Sequence, residues 1–183
     1  MNMRSKVKNI TVTAAFAALV FVFTFVVKIP TTTTGYVHVG DAVVYIAASV
    51  LSTPYAMLAA GIGGALSDVL GGYTAYALPT FIIKAALCLC FKNKSEKLCC
   101  KGNLFAVIIA SVISIAGYYL TYVFMLAFAA KEPLAELFTA APWIGSVATI
   151  FDNLVQAIAS GLIYFVIIVA LDKIKFKEMI AKL

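Results

Sequence analysis

The chain has 183 residues, of which 63% are hydrophobic and only 12% charged. Soluble domains carry about twice that charged share, and a crossing helix needs ~20 mostly apolar residues. Nearly the whole length can be tiled with such stretches. The composition therefore excludes a soluble enzyme or binding module and predicts one membrane-embedded unit over residues 1–183.

The net charge of +6 is a question of placement. Arg4, Lys6 and Lys8 precede the first apolar run; Lys92, Lys94, Lys97 and Lys101 fill one polar loop; Lys173, Lys175, Lys177 and Lys182 form the tail. Only Lys28, Lys84 and Lys131 lie elsewhere. Basic clusters flanking apolar spans mark the cytoplasmic side, so the surplus points to cytoplasm and anionic lipid and not to nucleic acid.

In chain order, the first apolar run extends from about Lys8 to Val27. It is too long for a secretory h-region, and Lys28-Ile29-Pro30 is a poor cleavage site, so it reads as a retained helix 1. A polar loop follows. Helix 2 is expected from Asp41, as N-cap, to Ser52; its shortness predicts a tilted or partly embedded segment. Thr53-Pro54 is an N-cap with Pro at the first helical position, opening helix 3 to about Leu70. After a Gly71-Gly72-Tyr73 turn, Pro79 opens helix 4, which continues to Phe91. Helix 5 covers about Leu104 to Ala130 and is broken by Lys131-Glu132-Pro133. Residues Leu134 to Ala141 read as a short surface helix, and Pro142-Trp143 start helix 6, reaching Leu171. The expected fold is an all-α bundle of six transmembrane helices with both termini cytoplasmic. Four spans before the Lys-rich loop and two after it place every basic cluster on one side.

Ionisable groups inside spans cost at least ~2.5 kcal/mol near the bilayer centre and mark a site or a paired structural contact. Here they are few: Lys84 in helix 4, Asp152 beside Asn153 and Gln156 in helix 6, and Asp68 near the end of helix 3. In the six-span layout these residues, with Tyr118, Tyr119 and Tyr122 of helix 5, all fall in the outer half. The first loop adds Tyr36, His38 and Asp41 on that side. Asn153 with Gln156, Asp152 with Gln156, and Tyr118 with Tyr122 each share a helix face. Amides and aromatic faces converging in an apolar cup suit a small heteroaromatic solute. Plainer readings exist for single residues: a tyrosine can be an interface belt residue, Lys84 and Asp68 a structural ion pair, and His38 a solvated loop residue.

Other chemistries lack their residues. His38 with Asp41 is too sparse for a metal site, and no metal or cofactor is expected. No Gly-x-Ser-x-Gly or paired-histidine zinc motif occurs, and the glycines of Gly61-Ile62-Gly63-Gly64 are not followed by Lys-Ser/Thr. Catalysis and autonomous ATP hydrolysis are therefore not expected. Cys88, Cys90, Cys99 and Cys100 read as free thiols. Helix 3 carries a small-residue face of Ala56, Ala60, Gly61, Gly64 and Ala65, and helix 1 stacks Ala14 and Ala18 one turn apart; both permit close helix approach.

Three stretches carry a resemblance: Gly35-Tyr-Val-His-Val-Gly-Asp-Ala-Val-Val-Tyr-Ile-Ala-Ala, then Gly61-Ile-Gly-Gly-Ala-Leu-Ser-Asp-Val-Leu-Gly-Gly-Tyr, then Pro79-Thr-Phe-Ile-Ile-Lys. With the length and six-span layout, the chain resembles the S components of energy-coupling-factor (ECF) vitamin transporters, in the branch of riboflavin-, hydroxymethylpyrimidine- and pyridoxine-type binders. The resemblance implies a bacterial plasma-membrane subunit that binds a vitamin or precursor from outside, in a pocket of outer loops and helices 4 to 6. It implies docking through helix 1 onto a membrane T component carrying two cytoplasmic ATPase subunits, with toppling of the S component delivering the ligand inward. The family's Ala-x-x-x-Ala docking motif matches Ala14 and Ala18. On this reading Asn153, Gln156 and Lys84 contact the ligand and Tyr118 and Tyr122 stack or hydrogen-bond. Tyr36, His38 and Asp41 form or support a lid, and Asp68 is a partner for Lys84. The rival readings are a solitary carrier and a membrane enzyme using His38 and an acid.

Overall fold

The computed structural model describes residues 3–31, 36–130 and 132–182. Thr32, Thr33, Thr34 and Gly35 of the first loop and Lys131 lie outside the described residues. Helix α1 (Met3–Phe25) leads into a two-stranded antiparallel hairpin, β1 (Lys28–Pro30) and β2 (Tyr36–His38), with Ile29 opposite Val37. Then come α2 (Gly40–Val50), α3 (Thr53–Leu70), a 3-10 turn at Thr74–Tyr76 and α4 (Ala77–Cys88). The second half holds α5 (Lys101–Phe128), the short α6 (Pro133–Glu136) and α7 (Ala141–Gly145), the long α8 (Val147–Lys173) and a tail helix α9 (Phe176–Lys182).

Among the described residues three stretches are long and apolar enough to cross a membrane: Lys6–Phe25, Lys101–Phe128 and Ala141–Lys173. The last is interrupted at Ser146, where α7 meets α8. With 11 and 12 residues, α2 and α4 extend roughly 17–18 Å, short of a ~30 Å hydrocarbon core. All of α2 except Val50 is buried, so it is a central strut and not a lipid-facing span.

Solvent-type patterning is inverted. Phe105, Ile108 and Val112 of α5 and Leu162 and Val166 of α8 are each at least 60% exposed, while Asp41, Lys84, Asn103, Ser49 and Ser160 are buried. Apolar side chains outside and polar groups inside suit a bilayer as solvent.

Small residues set the closest contacts. An added Cβ at Gly63 would come within 2.5 Å of the Ala17 carbonyl oxygen, fixing α3 on α1. At Gly61 it would strike the Phe81 ring, 2.7 Å away, and at Gly64 it would meet Thr80 and Lys84 of α4. The small-residue face of α3 is thus internal packing on both sides. At the end of α3, Gly72 takes φ 84°, a left-handed value glycine adopts without steric cost.

Two caps differ from expectation. Val39 is the N-cap of α2 and Ser52 that of α3, neither with a side-chain cap bond. Asp41 lies inside the first turn of α2, where its carboxylate is used otherwise: Lys84 Nζ donates to Oδ1, and Gln156 Nε2 donates to Oδ2 at 2.8 Å. Lys84 therefore pairs with Asp41 and not with the expected Asp68. Gln156 Oε1 in turn accepts the His38 backbone N–H at 3.2 Å. One buried chain of contacts joins α4, α2, α8 and β2.

The opposite end is held by the Lys-rich loop. Asp172 accepts the backbone N–H groups of Leu98 and Cys99 at 2.9 and 2.8 Å, and Asn103 accepts that of Lys92 at 2.8 Å. Lys177 of α9, a helix the tail composition did not suggest, donates to the carbonyls of Asn93 and Ser95. Lys8 and Asn9 line a cleft with Leu51, Ser52 and Lys177. The amino-terminal basic cluster, the Lys-rich loop and the tail thus share one end of the bundle. Cys88, Cys90, Cys99 and Cys100 are free.

Removing one member of a buried ion pair leaves an uncompensated charge and costs about 3–5 kcal/mol, whereas replacing both with apolar groups is often neutral. Lys84→Met is expected to lower the thermal unfolding midpoint in detergent sharply, and Asp41→Leu/Lys84→Met to recover most of it. Equal losses in the single and double variants would show that the pair is not what these side chains contribute.

Candidate functional site

At the end away from the basic clusters, the bundle encloses a pocket with about 600 Å³ of empty space, its open mouth included. Seven elements contribute to it. The last turn of α1 supplies Thr24, the hairpin Thr31, Tyr36 and His38, and the end of α3 Asp68. Tyr73, Tyr76 and Thr80 come from the 3-10 turn and the start of α4, Tyr118 and Tyr122 from α5, and Thr149, Asp152, Asn153 and Gln156 from α8.

The hairpin forms one wall because its side chains are held from behind. Tyr36 Oη donates to Asp68 Oδ1 at 2.6 Å, and its ring lies 4.8 Å from that of Tyr73 and 5.6 Å from that of His38, tilted at 51° to both. Burial, reinforced by the Asp68 carboxylate, pushes the Tyr36 phenol up, so it remains a donor. Lys28 Nζ lies 4.6, 5.5 and 5.8 Å from the ring centroids of Phe25, Tyr36 and Tyr73, a cation held over aromatic faces. It ties the start of the hairpin to the turn after α3.

His38 is buried, and its Nδ1 accepts the Gly40 N–H at 3.1 Å. Burial and the nearby Lys84 cation pull its imidazole down to about 3. A neutral ring with Nδ1 as acceptor carries its proton on Nε2. It is a fixed structural element of the wall.

Of the side chains singled out from sequence, Tyr36, His38, Asp68, Tyr118, Tyr122, Asn153 and Gln156 line the pocket, whereas Asp41 and Lys84 do not. Both are buried beneath it, with Lys84 Nζ 5.5 Å from the centroid of the Tyr118 ring. Gln156 commits both ends of its amide to Asp41 and the His38 backbone. Asn153 Nδ2 donates to the Thr149 carbonyl at 2.8 Å, and Tyr118 Oη to Thr80 Oγ1 at 3.3 Å. Tyr119 is directed elsewhere, to the Trp143 carbonyl at 3.1 Å.

Thr24, Thr31, Tyr73, Tyr76, Thr80 and Thr149 also line the pocket and were not anticipated. The pair Tyr73 and Tyr76, just after a glycine turn, was the available signal. A threonine inside an apolar helix gives none, because its hydroxyl can bond its own backbone.

The exposed Ala14 and Ala18 lie on a separate apolar groove between α1 and α3, together with Phe21, Leu58, Ile62 and Leu66. Among the described residues no group of three or more His, Cys, Asp or Glu side chains is placed to hold a metal.

The pocket is rich in aromatic rings and poor in reactive groups, which suits binding of a flat solute. Comparison with individually curated proteins returned no match. Comparison with protein-family models matched residues 4–173 to the ECF-type riboflavin transporter S component. That match runs through every element of the pocket, and the chain belongs to this family of S components, the vitamin-binding subunits of ECF transporters.

Proposed function

We propose that this chain captures a water-soluble vitamin outside the cell and delivers it inward as the substrate-binding subunit of an ATP-driven importer, with riboflavin the favoured ligand over pyridoxine and hydroxymethylpyrimidine. The observation that carries this reading is the separation of ends. The aromatic pocket occupies one end of the bundle and all three basic clusters the other. Basic clusters stay on the cytoplasmic side, so the pocket opens outward, with both termini inside and six helices traversing or embedded in the bilayer.

The rings of Tyr36, Tyr118 and Tyr122 line the pocket and are suited to pack on a planar heterocycle. Asn153, with one N–H and its carbonyl still to offer, and Asp68 supply orientation. Lys84, Asp41 and Gln156 act one layer below, by holding the hairpin wall in place. His38 supports the wall and is no general base, which weighs against the enzyme reading.

The groove at Ala14 and Ala18 serves as the seat for the T component, which brings the two ATPase subunits. Exposed Ala14 and Ala18 leave that face of α1 without side-chain bulk, which permits the close helix contact such a seat needs.

Riboflavin binding is read directly by quenching of its fluorescence on titration with purified protein. Saturable quenching is expected, and its absence, with binding of pyridoxine or hydroxymethylpyrimidine by calorimetry, would reassign the ligand. Asn153→Ala should raise the riboflavin Kd by about tenfold or more, because a buried ligand group loses its partner; an unchanged Kd would move the polar contact elsewhere. Ala14→Trp should leave that Kd unaltered while abolishing uptake in cells expressing the whole importer, and loss of binding instead would make the alanine face internal packing. His38 is the only histidine, so its imidazole NMR signal is unambiguous. It should not titrate between pH 5 and 8. Its neutral form is favoured by folding, so this contribution to stability is complete above about 6.5 and declines as the pH falls toward 3. A titration midpoint near 6.5 would mean that the ring is solvated.

A further inference from the structure

We propose that Lys28 is a positioning residue for ligand binding: its ammonium, held over three aromatic rings, sets the orientation of Tyr36 and Tyr73, two rings of the pocket wall. This role rests on the flavin reading above and deepens it.

The lysine turns inward where its neighbours do not. Val27 and Ile29 on either side are 43% and 67% exposed, whereas Lys28 between them is half-buried. A lysine at the end of an apolar run ordinarily stretches its ammonium toward water. Lys28 instead brings it between the end of α1, strand β2 and the turn after α3. There Nζ lies 4.6 Å from the Phe25 ring centroid, 5.5 Å from that of Tyr36 and 5.8 Å from that of Tyr73. Gly71 makes the room, since an added Cβ there would come within 3.1 Å of Nζ. Among the described residues Lys28 enters no ion pair. The charge of Asp68 reaches it only from beyond that distance, so the rings are the contacts that hold it.

The register of the hairpin explains how one lysine reaches the wall without lining the pocket. Lys28 is paired with His38, and side chains two apart on a strand share a face, so Lys28, Tyr36 and His38 lie on one side of the ribbon. Tyr36 and His38 line the pocket and Lys28 does not. The Tyr36 ring is pinned at its phenol by Asp68 and covered by the Lys28 ammonium; two restraints at different points of the ring fix its plane. Tyr73 lies 4.8 Å from Tyr36 and meets Tyr76 edge-on at 6.5 Å, so its placement carries to a third lining ring. A wall already set in one arrangement spares a flat ligand the cost of ordering it.

The test is riboflavin quenching by purified full-length protein carrying Lys28→Met, which keeps a long side chain without the charge, or Lys28→Arg, which keeps the charge. Lys28→Met should raise the Kd about tenfold, the scale of a partly desolvated cation–π contact, mainly through faster dissociation in stopped flow. Lys28→Arg should restore the wild-type value. In a Tyr36→Leu background Lys28→Met should cost much less, because a ring through which it acts is gone. An unaltered Kd in Lys28→Met, no restoration by Lys28→Arg, or fully additive losses with Tyr36→Leu would overturn the assignment while the flavin reading stands. Hydrogen-exchange mass spectrometry of the ligand-free protein gives a second readout: Lys28→Met should speed exchange in the hairpin strands, and Lys28→Arg should not. If wild-type protein quenches no riboflavin, the flavin reading falls, and unchanged hairpin exchange in Lys28→Met then overturns the role of Lys28 as well.

Discussion

The Asp41–Lys84 ion pair is the constraint on which the rest depends. Both side chains are essentially inaccessible, and neither charge is tolerable alone in so apolar a bundle. Their pairing fixes α2 against α4. Gln156 completes the carboxylate's shell and passes the constraint to the hairpin through the His38 N–H. A wall that would otherwise be a short, marginal two-stranded ribbon is thereby referenced to the bundle core. The pocket's wall is thus held by a contact that lies outside the pocket lining.

The two ends of the molecule are built on different principles. The pocket end relies on aromatic rings and side-chain hydrogen bonds converging from seven elements, with open space between them. The basic end is closed by side chains gripping backbone: Asp172, Asn103 and Lys177 each bond main-chain groups of the loop before α5. Between the ends, the rings of Tyr45, Phe91 and Tyr164 pack at 5.2–5.8 Å, and Ser49 shares a 2.8 Å hydrogen bond with Tyr164.

How far the sequence revealed this depends on the kind of signal. Hydropathy located α1, α5 and the α7–α8 stretch because long apolar runs have one reading. It found α2 but not its role, since complete burial by neighbouring helices looks like membrane burial. Lys84 was conspicuous as a charge in an apolar run, yet its partner was misjudged. In the sequence Asp41 reads as a helix cap and lid residue, and only the three-dimensional arrangement of α2 and α4 brings it to Lys84. The convergence of Tyr36, Asp68, Tyr118, Tyr122 and Asn153 was legible from sidedness and helical spacing. The hairpin was not, because three-residue strands carry too little alternation, and Thr24 and Thr149 were hidden by the ambiguity of threonine in helices.

Helix α1 joins features that are usually discussed apart. Its exposed Ala14 and Ala18 look outward to the groove, and Thr24, about 9 Å further along the axis at 1.5 Å per residue, looks into the pocket. If the groove seats the transporter core as proposed, a rigid rod touching both makes cargo and core thermodynamic neighbours. If occupancy favours one tilt of that rod, engagement of the core must alter cargo affinity by the same factor. Loading and unloading are then two readings of a single equilibrium.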